Sequence, residues 1–168
     1  MKVYPGDSPV VIKKTFSYKK EGYIISKLSL GNHTGTHIDA PSHMVEGGQT
    51  LSEFPIEYFY GKALKYSKKL PKVLNPNNKY QIVIFENIKM NKKIVDQIIS
   101  SKFKLVGFGD KCYWQIPFIK MLLEQDILLV GMLVNLNKLP KTFYFSAFPL
   151  PLQKGDGSPV RAVAYYED

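Results

Sequence analysis

Between Val10 and Asp39 the chain is built from short runs of strand-forming residues. Val10 to Phe16, Tyr23 to Leu30 and Asn32 to Asp39 predict three consecutive strands, with Lys19 to Gly22 as the turn between the first two. From Ala40 to Pro55, with Gly47 and Gly48 in the middle, the pattern predicts a loop, and Ile56 to Tyr60 a short helical turn. Ala63 to Tyr66 and Tyr80 to Phe85 are expected strands, separated by the turn-forming Asn75-Pro76-Asn77-Asn78. The period then changes. Ile94, Val95, Ile98 and Ile99 recur at helical spacing behind Asn91, a good N-cap, which predicts a helix to about Ser101. Lys104 to Phe108 reads as a buried strand, Ile116 to Gln125 as a second helix and Ile127 to Val134 as the next strand, giving two adjacent β-α-β units. Thr142 to Phe148 and Pro159 to Tyr166 supply the closing strands.

This order describes an α/β fold, and its length of 168 residues suits a single domain spanning 1–168. The content is 45% hydrophobic and 13% aromatic, enough for a substantial core, and no repeat or low-complexity tract interrupts it. The single cysteine, Cys112, excludes an intrachain disulfide and suits a reducing compartment. The first residues lack an apolar core of signal-peptide length, and the longest apolar run, Ile127 to Val134, is too short to span a bilayer. The expectation is a soluble, cytoplasmic protein with no membrane partner.

The formal charge of +9 raises the question of nucleic acid. Of the 23 basic residues, 22 are lysines scattered along the chain and Arg161 is the only arginine. Specific readers of nucleic acid lean on arginine for bidentate contacts. A solvated lysine surface is therefore expected, with no nucleic-acid partner.

The chemistry is concentrated in one place. All three histidines fall within His33-Thr-Gly-Thr-His37-Ile-Asp39-Ala-Pro41-Ser-His43. His33, Gly35, His37 and Asp39 are two residues apart, so on an extended strand they project from one face. The intervening Thr34, Thr36 and Ile38 are β-branched and favour that conformation. Two imidazoles and a carboxylate are a recurrent set for catalytic zinc and also suit iron or manganese. Gly35 would leave room above the strand. Pro41 ends the strand, which puts His43 on the following turn, near a metal but not necessarily bound to it, and well placed to transfer protons.

The same string resembles the HxGTHxDxPxH signature of the cyclase family of metal-dependent hydrolases, which includes bacterial kynurenine formamidase and isatin hydrolase, and it matches at every specified position. Tyr4-Pro5-Gly6-Asp7 resembles that family's aromatic-Pro-Gly-Asp turn, and Gly155-Asp-Gly-Ser-Pro159-Val-Arg161-Ala resembles its C-terminal signature. The resemblance implies a swivelling β/α/β fold assembled as a homodimer or homotetramer. It makes His33, His37 and Asp39 metal ligands, His43 the acid/base and Tyr4 a substrate-facing residue. It further implies hydrolysis of an amide or cyclic amide in a small aromatic substrate, by water activated on the metal.

One departure bears on stoichiometry. Formamidases of this family bind a second metal through the shared aspartate and a later histidine and glutamate. No histidine follows His43; Ile119 or Lys120 stands at the histidine position and the glutamate position falls near Gly131. The expectation is one divalent ion per chain, zinc with manganese as the alternative. A family member that binds metal without hydrolysing anything, and serves as a binding or regulatory subunit, is the competing reading. Phe54, Tyr58, Phe59 and Trp114 could line an aromatic substrate, but core packing is the expected role for them.

Overall fold

The computed structural model describes residue 3, residues 6–75 and residues 79–167. Strands β1 (Val11–Phe16) and β2 (Ile25–Ser29) form an antiparallel hairpin. The expected turn between them is a single helical turn, α1 (Tyr18–Glu21), closed by Gly22 in the left-handed conformation at φ 79°. The register places Ile12 opposite Leu28 and Phe16 opposite Ile25, and all four remain exposed.

The remaining strands form one sheet. They are β3 (His37–Asp39), β4 (Tyr60–Tyr66), β5 (Ile82–Phe85), β6 (Leu105–Gly109), β7 (Leu128–Leu133), β8 (Thr142–Ser146), β9 (Gly157–Pro159) and β10 (Val163–Tyr165), in the spatial order β10-β8-β4-β5-β6-β7-β3-β9. The central strands β4 to β7 are parallel, and the flanking pairs are antiparallel. Parallel neighbours need crossovers, and helices α2 (Lys92–Ser100) and α3 (Ile116–Leu123) provide them for β5 to β6 and β6 to β7. Asn91 caps α2 as expected, its side chain accepting the Ile94 amide at 3.1 Å.

Both faces of the central strands are buried, so their sequences are continuous apolar runs. In β5, Val83 and Phe85 join α2 and α3 in one core, whereas Ile82 and Ile84 join a second core with Ile38, Phe143 and Phe145. Leu51, Phe54 and Phe59, from the loop after β3, cover that second core. The loop is pinned at Thr50 and Glu53, which cap one another reciprocally.

The last expected strand, Pro159 to Tyr166, is split. Pro159 ends β9 (Gly157–Pro159) and Val163–Tyr165 forms β10, and these two strands lie at opposite edges of the sheet although only residues 160–162 separate them. Eight flat strands would spread about 34 Å at the usual spacing. Four residues of extended chain reach at most about 14 Å. The sheet must therefore curl until its edges nearly meet. The strand expected from Asn32 is likewise shorter, because residues 32–36 turn and only His37–Asp39 pairs with neighbours. Gly35 supplies the bend, at φ 67°. No helix among the described residues is long and apolar enough to cross a membrane.

Close packing at the parallel strand ends yields one test. A β-carbon at Gly109 would come 2.5 Å from the Glu86 carbonyl oxygen, a backbone atom that cannot rotate away. Gly109→Ala should cost roughly 1–3 kcal/mol, read as a lower urea midpoint with an unchanged slope.

Candidate functional site

Strand β3 carries His37 and Asp39 on one face, two residues apart. It is held on both sides. His37 pairs with Gly131 of β7 and Pro159 of β9, and Asp39 with Leu129 and Gly157. The two glycines let imidazoles lie close to the neighbouring backbone. A β-carbon at Gly131 would stand 3.1 Å from His37 Cε1, and one at Gly157 would overlap the His33 ring.

His33 does not reach the site along the strand, as the spacing predicts, but from the turn before it. That turn is fixed by the Thr34 amide on the Gly31 carbonyl at 3.1 Å and by the Thr36 hydroxyl on the Met132 carbonyl at 2.9 Å. Gly35 contributes a bend and an acceptor. Its carbonyl takes a 2.7 Å hydrogen bond from His37 Nδ1, which leaves Nε2 as the free donor atom of that ring.

The donors converge on one carboxylate. Asp39 Oδ1 lies 2.8 Å from His33 Nδ1 and 3.3 Å from His37 Nε2. His43 follows Pro41 on a single 3-10 turn, Pro41–His43, and its ring lies 4.0 Å from that of His33, centroid to centroid. A residue the sequence did not single out joins these two: Asp156 Oδ2 is 3.1 Å from His33 Nε2 and 3.2 Å from His43 Nδ1. Its other oxygen accepts from the Asn32 side-chain amide. Asp156 lies inside the Gly155 to Ala162 segment, and the available signal was a carboxylate between two glycines in a chain with one histidine cluster.

The other expected residues fall elsewhere. Tyr4 lies outside the described residues. Phe54 and Phe59 are buried in the second core, and Trp114 packs on Phe108 with ring centroids 3.6 Å apart. Gly131 does sit beside His37 and brings no side chain there, while Ile119 packs against the helix-side core and Lys120 is exposed. Among the described residues, the groups of side chains able to hold a metal are His33-His37-Asp39 and His33-His43-Asp156; Glu124 and Asp126 belong to neither.

Residues 1–132 match the model of the family described as "Putative cyclase". The chain belongs to this cyclase family. An uncharacterised protein of Methanocaldococcus jannaschii is 33% identical over 177 residues, covering 96% of this chain and 91% of the relative. The kynurenine formamidase of Geobacillus thermodenitrificans is 25% identical over 186 residues, covering 95% and 89%. The solved structure of isatin hydrolase A from Labrenzia aggregata, bound to benzyl benzoate, superimposes with a TM-score of 0.75 at 19% identity, covering 98% of this chain and 87% of that one. The swivelling β/α/β fold of the cyclase family is therefore the fold of this chain.

In this cyclase-family chain the carboxylates and imidazoles of the cluster shift one another's titration. Burial alone would raise the Asp39 carboxyl, but hydrogen bonds and charge from His33 and His37 bring it down to about 2. Burial opposes charge on His33 and His37; Asp39 outweighs it for both, aided by Asp156 at His33 and the Gly35 carbonyl at His37, so both are raised above 6.5. Asp156 is lowered by His33 and His43 against a smaller resistance to desolvation than at Asp39, since it is partly exposed. His33 faces a carboxylate at each nitrogen, and carboxylates only accept. It therefore carries both protons when protein groups alone are present.

The signs give a pH test. Raised histidines stabilise the fold fully below the unfolded value of 6.5 and lose that contribution as pH rises through their folded values; the lowered carboxylates contribute above 3.8 and lose their contribution as pH falls through their folded values, about 2 for Asp39. Chelator-stripped protein should thus melt higher at about pH 5.5 than at about pH 8.5, and His33→Asn should shrink that difference. Zinc should reverse the trend, because binding releases protons. An unchanged pH profile in His33→Asn would refute the assignment.

Proposed function

We propose that this protein is a metal-dependent hydrolase that opens an amide or cyclic amide bond in a small aromatic substrate. The observation that carries the proposal is the meeting of His33, His37 and Asp39 beside His43 and Asp156. Two imidazole nitrogens and a carboxylate oxygen, all within 4.8 Å of one another, fit a first-row divalent cation such as zinc or manganese. The tautomer of His37, set by Gly35, presents Nε2 to that place. Asp156 on the far nitrogen of His33 orients the ring and raises its basicity, as carboxylates behind metal-binding histidines do. When bound there, the ion supplies Lewis acidity for a carbonyl oxygen and lowers the pKa of water toward 7.

The remaining steps belong to the chain. His43 donates Nδ1–H to the Asp156 carboxylate, which leaves Nε2 able to accept a proton. It takes the proton of the attacking water at Nε2 and returns it to the departing nitrogen, a two-way role suited to imidazole near neutral pH.

One ion per chain is part of the proposal. Gly131 removes a carboxylate from the position next to His37, and α3 presents no imidazole. The same observation favours the second reading, a metal-binding subunit without turnover, and activity separates the two. The zinc- or manganese-loaded protein is expected to hydrolyse one or more of N-formylkynurenine, isatin and simple aryl formamides. Metal bound with no turnover across that panel would select the subunit reading.

Two substitutions divide the roles. His43→Ala should lower kcat by about a hundredfold or more while metal content stays near wild type. His37→Ala or Asp39→Ala should release the ion, with activity falling in proportion. Metal analysis after dialysis should give about one equivalent per chain. Loss of metal in His43→Ala would make it a ligand and overturn this division.

A further inference from the structure

The curl of the sheet leaves a seam where its two edges approach, and the seam holds a cleft of about 460 Å³, within the ~300–1,000 Å³ range of small-molecule sites. Leu133, Leu136, Phe145 and Val160 give it apolar walls, with Thr36 and Asn135 as polar breaks in them. Arg161 and Lys138 also line it, and no lining residue is acidic. Arg161 is the only arginine in the sequence, and it forms no ion pair among the described residues.

The walls are built in advance. The Lys65 ammonium, mostly buried, donates to the Leu136 carbonyl at 2.7 Å and the Leu139 carbonyl at 2.6 Å, fastening the 136–139 segment over the sheet. Asn135 at φ 61° turns the chain after β7 to begin that segment, and Met132 at φ 59° marks an irregularity within the strand itself. On the other side, the Val160 amide donates to the Thr36 carbonyl at 2.9 Å and anchors the start of the crossing that carries Arg161.

We propose that this cleft is a second ligand site, separate from the histidine cluster, for a small carboxylate with an apolar body. Arg161 matches a carboxylate in shape, because its planar fork donates two parallel hydrogen bonds. Lys138 adds charge. One or two cations at the rim and apolar walls within fit a singly charged head on a hydrocarbon or aromatic tail; a bare polyanion would leave the walls wet. The cleft belongs to the core that includes Ile38, whereas His37 and Asp39 project from the other face of β3, so the two sites lie back to back. Occupancy therefore does not depend on the hydrolase reading.

The probe is octanoate, titrated calorimetrically into the full chain at near-physiological salt. Octanamide keeps the tail without the charge, and sulfate keeps charge without the tail. Octanoate should bind saturably at one site per chain, with octanamide and sulfate weaker by about tenfold or more. Arg161→Gln should weaken octanoate by about tenfold or more, and Arg161→Lys should recover part of the loss. Ala162→Leu, which fills the cleft and leaves its charge alone, should also abolish binding, while His33→Asn should leave it unchanged. Equal binding of octanamide or sulfate, loss of binding in His33→Asn, or no saturable octanoate binding at millimolar concentration would overturn the proposal. A dimer that dissociates in both Arg161→Gln and Ala162→Leu would assign the cleft to a second copy of the chain and overturn it equally.

Discussion

The site depends on the placement of a strand only three residues long. β3 has too few backbone hydrogen bonds to hold itself, and it is fixed because β7 and β9 pair with it from both sides. Those pairings decide what may stand beside the histidines. Glycine occupies the positions that His33 and His37 approach, so each ring can lie over backbone where a side chain would displace it. Asp39 is then enclosed, and a buried carboxylate without a partner would be costly. Its two imidazole neighbours meet that cost, and in doing so they define a place for positive charge.

On the proposed function, protons and a divalent ion would compete for that place. His33 is flanked by Asp39 on one nitrogen and Asp156 on the other, so protein groups alone favour the doubly protonated ring. An ion held by His33, His37 and Asp39 would take the place of one of these protons, while Asp156 would keep the other. The same carboxylate oxygen serves His43. One side chain from the C-terminal segment thus contacts two rings with different proposed tasks.

Much of this was legible in the sequence. The buried parallel strands follow from apolar runs such as Ile82 to Phe85, and α2 from Ile94, Val95 and Ile98 behind Asn91. The grouping of His33, His37, Asp39 and His43 was legible from spacing and residue type. The approach of His33 was not: alternation along a strand assumes extended backbone, and Gly35 at positive φ interrupts it. Asp156 was hidden for a different reason, since no local pattern marks a residue brought in by pairing β9 with β3. The end of the chain was equally illegible, because no local pattern marks the break at residues 160–162 and only the curl of the whole sheet assigns β9 and β10 to opposite edges.

That long-range pairing sets an order of events during folding. His33 and Asp156 are 123 residues apart, so their contact closes a loop that spans most of the chain, and loop closure of that length is paid before the contact returns anything. On a ribosome the histidine segment emerges long before β9 exists to pair with it, and β7, its other neighbour, also comes later. A metal captured by the nascent His33-His37-Asp39 segment would meet a floppy chelate, without Gly131 or Gly157 backing the rings and without a carboxylate behind His33. The glycines behind the rings arrive only with β7 and β9, so the complete geometry around His33, His37 and Asp39 exists only after both strands have paired with β3.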